Sequence, residues 1–147
     1  MRKIYLVTAL AGFVALAACS GGKTEDKKDT SDNTGSVSSA SSVNGEEIYK
    51  KTCLACHQAN GEGIANTFPP LAKSDFLVNR DQVIEQVIKG KSGEMTVNGV
   101  KYNGTMPPQA ISDEEIAAVL TYVYSSWGNS GGPVSVDEVK AVRNKAQ

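Results

Sequence analysis

Soft ligands are scarce in this chain of 147 residues, which has one histidine, His57, and three cysteines, Cys19, Cys53 and Cys56. No disulfide pair is evident among them. A four-ligand zinc site would need a second Cys-x-x-Cys or a His-x-x-x-His, and the sequence contains neither. Positive charge is not in excess: 15 Lys and Arg stand against 16 Asp and Glu, for a formal net charge of −1. The basic stripe of a nucleic-acid binder is therefore missing. The chain also lacks an apolar run of the roughly 20 residues that a spanning helix needs; the run from Ile4 to Ala18 stops at 15. No internal repeat is visible. At this length one small domain is expected.

What is present begins with that apolar run. Arg2 and Lys3 precede it, and together they read as a signal peptide rather than an anchor helix. Its end, Leu16-Ala17-Ala18-Cys19, resembles a bacterial lipobox. The resemblance implies cleavage before Cys19 and lipid on the new N-terminal cysteine. Two or more acyl chains give stable anchoring, so the protein is expected on a bacterial membrane, outside the cytoplasm. The alternative is an ordinary secretory signal that happens to end in cysteine. After Cys19 the chain to residue 43 is Ser, Gly, Thr, Asp and Lys with almost nothing apolar. It cannot offset its chain entropy by burial and reads as a flexible tether with a reach of about 25–30 Å. The expected organisation is a signal peptide over 1–18, the lipidated Cys and tether over 19–43, a folded domain over 44–128, and a C-terminal extension over 129–147.

Order is expected from Asn44. It is an N-cap residue followed by Glu46 and Glu47 in a first turn, with Ile48, Thr52 and Cys56 on one helical face. Residues 61–78 read as a Gly- and Pro-containing loop. Asn79 and Gln82 make a capping-box-like start for a second helix, Val83, Ile84, Val87 and Ile88 form its apolar face, and Gly90 stops it. Asn98-Gly99 between apolar residues signals a small β-hairpin near 95–102. Ser112 and Glu115 cap a third helix, Asp113 to Trp127, ended by Gly128-Asn129. A last short helix from Ser135 would present Val136, Val139 and Val142. The expected fold class is all-α, with three to four short helices. A domain this small usually needs a staple or a large cofactor.

The concentrated chemistry lies in Cys53-Leu54-Ala55-Cys56-His57. Three uses compete. Zinc lacks ligands, and adjacent Cys56 and His57 fit one tetrahedron poorly. A thioredoxin-like dithiol needs a βαβ setting, whereas this context is helical. The third use is covalent attachment of a c-type haem, for which Cys-x-x-Cys-His is the signature. The two thiols lie one helical turn apart and can add to the two vinyl groups of one porphyrin edge, while the histidine that follows can bind the iron. With Cys19 lipidated, this use consumes every cysteine.

Here the chain resembles the class I c-type cytochromes, from about Asn44 to Trp127. The matching residues are GEEIYKKTCLACH, PPLA, YNGTMPP and TYVYSSWG. CLACHQANGEGIANTFPPLAKSDFL and SGEMTVNGVKYNGTMPP further resemble cytochrome domains associated with bacterial copper-containing nitrite reductases. The resemblance implies a small cytochrome c fold around one covalent haem c, held by Cys53, Cys56 and His57. With no second histidine, the candidates for the sixth ligand are Met106 and Met95. Met106 sits in a turn-rich loop stiffened by Pro107 and Pro108, where the family places its methionine, while Met95 reads as an apolar gap-filler. The metal ligands are therefore expected to be His57 and Met106. By the family's Pro-x-Leu pattern, Pro69 would accept a hydrogen bond from the free imidazole N–H and Leu71 would pack on the haem. Asn103 is a candidate partner for a propionate. Tyr49, Phe68, Tyr102, Tyr122 and Trp127 read as pocket or helix-packing residues.

Met/His ligation raises the potential and closes the iron to substrate. The expected function is thus a one-electron carrier in the cell envelope, not an enzyme, working between redox protein donors and acceptors. A copper nitrite reductase or a terminal oxidase is the partner that the resemblance suggests. The alternatives are a fixed haem subunit of a membrane oxidase or reductase complex, and a peroxidase-like enzyme. The latter has no second histidine for distal acid–base work.

Overall fold

Four of the described helices begin where a side chain can replace the missing backbone partners of a first turn. The structure is a computed structural model that describes residues 43–146. The signal-like run, Cys19 and the tether up to residue 42 lie outside the described residues. Asn44 Oδ1 accepts from the backbone N–H groups of Glu46 and Glu47 and starts α1, Gly45–Thr52. A single helical turn, α2, Leu54–His57, continues it through the Cys-x-x-Cys-His segment. The 61–78 stretch is the expected loop, closed by an Ile64–Phe68 bridge and a 3-10 turn at Asp75–Val78. Asn79 caps α3, Arg80–Lys89, and Gly90 at φ 78° stops it. Reciprocal Ser–Glu capping boxes start α4, Asp113–Ser125, and α5, Val136–Lys145. Among the described residues no helix is long and apolar enough to cross a membrane.

Two expectations shift. The hairpin is longer than 95–102: β1 spans Lys91–Val97 and β2 spans Val100–Met106, antiparallel, with Lys91 opposite Met106 and Met95 opposite Tyr102. Asn98 and Gly99 take φ 50° and 77°, as a two-residue turn demands. Asn103-Gly104, in the stretch expected to be a turn-rich loop, instead stays in the ladder. Met106 is consequently the last residue of a strand and not part of a free loop. α4 ends at Ser125, two residues before Trp127, because Trp127 turns to φ 52°. Its ring then packs against Tyr49 and Tyr122, with centroids 5.1 and 5.5 Å away.

The core is built by α1, α3, α4 and α5. Tyr49, Ile84, Ile116 and Val139 are nearly or fully inaccessible, and Val119, Leu120, Val123 and Tyr124 fill the α4 face between them. The segment after α4 is part of this packing, since Val134, Val139 and Val142 are buried with it. Arg80 clamps the segment to α3. Its guanidinium donates to Pro133 O at 3.0 Å, to Gly131 O, and to Glu138 Oε1 at 3.0 Å, and lies 5.1 Å from the Tyr124 ring centre.

Candidate haem site

Strand alternation puts Lys91, Met95, Val97, Tyr102, Gly104 and Met106 on one face of the hairpin. That face, α3 and α4, and the loop from His57 to Leu77 line an apolar cleft that is partly open to solvent. A second space adjoins it and shares Thr52, Cys53, His57, Pro69, Gln86, Met95, Met106 and Gln109. Cofactor pockets are largely apolar with a few placed polar groups, and this lining has that character.

Of the sequence-predicted residues, Cys53, His57, Pro69, Leu71 and Met106 line the inner cavity, and Cys56 lines the outer one. Cys53 and Cys56 are free thiols one turn apart. Burial pushes the Cys53 thiol up, an effect eased by the Thr52 hydroxyl 3.3 Å away. His57 Nδ1–H donates to the Pro69 carbonyl oxygen at 3.0 Å. That bond fixes the tautomer, so Nε2 keeps its lone pair. Burial also lowers the His57 pKa, which the Pro69 carbonyl opposes, and the neutral ring is the form that can bind a metal. Phe68 and Tyr102 line the outer cavity, whereas Tyr49, Tyr122 and Trp127 form the helix-packing cluster behind it. Asn103 faces the other way, exposed on the outer side of β2, and lines neither space.

One residue that matters here carries no sequence signal as a site. Gln86 Nε2 lies 3.6 Å from Met106 Sδ. Beside the Val83–Val87 stripe a glutamine reads as the solvated edge of an amphipathic helix, and only the hairpin's position shows otherwise.

The donor set suits a haem and not a metal ion alone. Among the described residues no cluster of three or more His, Cys, Asp or Glu exists to hold an ion. Two thiols and an imidazole instead stand at the edge of an apolar space whose walls include two thioethers, those of Met95 and Met106.

Comparison with known proteins agrees. The family profile described as Cytochrome c matches residues 42–127. Cytochrome c-552 of Thermus thermophilus is 40% identical over 114 residues, covering 70% of this chain and 86% of that protein. Cytochrome c-551 of Bacillus subtilis (strain 168) is 29% identical over 120 residues, covering 80% and 90%. The cytochrome c subunit of the quinone alcohol dehydrogenase of Gluconacetobacter polyoxogenes is 29% identical over 118 residues, covering 70% of this chain and 23% of that protein. Bacterial c-type cytochromes work outside the cytoplasm. The chain thus belongs to the cytochrome c family, as a mono-haem electron-transfer protein with one covalently attached haem c and not as an enzyme.

Proposed function

We propose that this protein is a membrane-anchored carrier that passes single electrons between respiratory partners in the cell envelope. The observation that supports the site assignment is that His57 and Met106, from chain segments 49 residues apart, line one apolar site. Met95 lines it too, but Met106 is the one held at a strand end and before two prolines. Cys53 and Cys56 would hold the haem by thioether bonds, and His57 and Met106 would ligate its iron. When bound, the haem supplies an iron that changes oxidation state by one electron. The chain's own residues keep the surroundings of that change fixed. The Pro69 carbonyl orients the imidazole, Leu71 lines the wall against which the haem would pack, and Met106 is held at the end of a paired strand and before two prolines. Such rigidity limits reorganisation when the charge changes.

The lipobox-like LAAC supports the anchor: Cys19 carries lipid and keeps the domain near the membrane. The copper nitrite reductase or terminal oxidase suggested by residues 53–77 and 92–108 is the proposed type of acceptor. A second reading, a fixed haem subunit of a larger complex, is favoured by the match to a dehydrogenase cytochrome c subunit. A stable complex purified from membranes supports it over the shuttle.

The first test is the ferric visible spectrum of wild type and Met106→Ala. Wild type should show a weak red sulfur-to-iron charge-transfer band, and the variant should lose it. A high-spin ferric wild type overturns the ligand assignment.

A further inference from the structure

Gln86 is a half-buried amide on an otherwise apolar wall, with Val83 and Val87 beside it and Leu120 across the cavity. A buried amide without a partner is costly. Among the described residues, the one hydrogen bond made by the Gln86 side chain goes to Met106 Sδ, at 3.6 Å. A thioether sulfur is large and a weak acceptor, so this separation is an ordinary one for N–H···S.

The pairing is built from rigid parts. Gln86 lies in the last turn of α3, and the chain after Met106 is fastened to that same end. Gln109 N–H donates to Val87 O at 2.9 Å. At Gly90 a side chain would strike Met106 O at 2.6 Å and Pro108 N at 2.8 Å, so the backbone carrying the thioether lies directly on the helix terminus. Side chains supported this way hold their geometry far better than those on free loops.

We propose that Gln86 positions and tunes the Met106 thioether. Its amide donates to one sulfur lone pair, leaves the other for the iron, and raises the reduction potential. This rests on the reading that Met106 is the sixth ligand. The sign follows from charge. A donor on sulfur withdraws electron density, and that weakens the bond to the more charged ferric iron more than to the ferrous one. Hydrogen bonding by residues around the ligands is a recognised lever on haem potential.

The test is the potential and ferric spectrum of the haem-loaded full chain, as wild type, Gln86→Leu, Gln86→Ala and Met106→Ala. Both Gln86 variants should keep the charge-transfer band. The equilibrium constant for their reduction should fall about three- to tenfold, which is about 30–60 mV at 59 mV per tenfold for one electron. Replacing an amide by an apolar chain without losing such a bond would disfavour the ferric charge and raise the potential, so a fall separates the two causes. Gln86→Ala serves if Gln86→Leu does not fold. An unchanged or higher potential with the band intact overturns the proposal for Gln86 alone. A band that survives in Met106→Ala overturns the ligand reading beneath it.

Discussion

A constrained position beside the His57–Pro69 bond bears no chemistry of its own. Gly63 is buried at φ +67°, its N–H donates to His57 O at 3.0 Å, and a side chain on it would collide with the Phe68 carbonyl and come within 2.7 Å of Pro69 O. Two penalties coincide there, a left-handed backbone that L side chains rarely adopt and a clash with the carbonyl that holds His57. Gly63→Ala should destabilise the fold by about 2–4 kcal/mol. It should also lower the fraction of chain that acquires haem, because the imidazole loses its fixed partner. Urea unfolding and the haem-to-protein absorbance ratio measure the two effects.

Among the elements, the hairpin is held at both ends. Its Met106 end lies on α3, and its tip is latched to the 3-10 turn. Asp75 N–H donates to Asn98 Oδ1 at 2.9 Å, and Asn98 N–H donates to Asp75 Oδ1 at 2.8 Å. Asn98 therefore has two tasks, a positive-φ turn position and a long-range acceptor. The two are separable by mutation. Asn98→Gly keeps the turn and loses the acceptor, and should cost about 0.5–1.5 kcal/mol. Asn98→Ala loses the acceptor and strains the turn, adding about 1–2 kcal/mol. Chemical denaturation should rank wild type above Gly above Ala; a Gly variant as stable as wild type would mean that the latch contributes nothing.

For the whole molecule, α5 is the decisive element. It lies beyond residues 42–127 that match the family, yet Val139 is fully inaccessible and Val134 and Val142 are nearly so. Arg143 pairs with Asp113 at 2.7 Å, and Arg80 joins α3 to the segment before α5. These ion pairs are partly exposed and contribute little each; the valines carry the docking. Ending the chain after Gly128 should remove roughly 5 kcal/mol, taking about 1.5–3 for each buried valine. That is comparable to the roughly 5–15 kcal/mol of a typical domain. The shortened chain should melt far below the full one in a thermal scan, and an unchanged melting temperature would show that α5 is dispensable.

Local interactions made much of this legible in advance. Asn44, Asn79, Ser112 and Ser135 cap the helices they announce, because a cap involves only three or four neighbouring residues. Asn98-Gly99 turns the hairpin for the same reason, and Cys53, Cys56 and His57 come together within one helical turn. Non-local packing decided the rest. Asn103-Gly104 has turn chemistry but is overruled by cross-strand pairing that extends to Met106, and Trp127 leaves the helical conformation as it packs with Tyr49 and Tyr122. The loop from residue 61 has no periodicity to place Pro69 beneath His57. No spacing rule brings Gln86 to a sulfur 20 residues away. The sequence by itself determined which residues could bind a haem, because that chemistry is compressed into five positions. Only the tertiary structure decided what surrounds them, since those contacts come from burial summed over the whole core and not from any one segment.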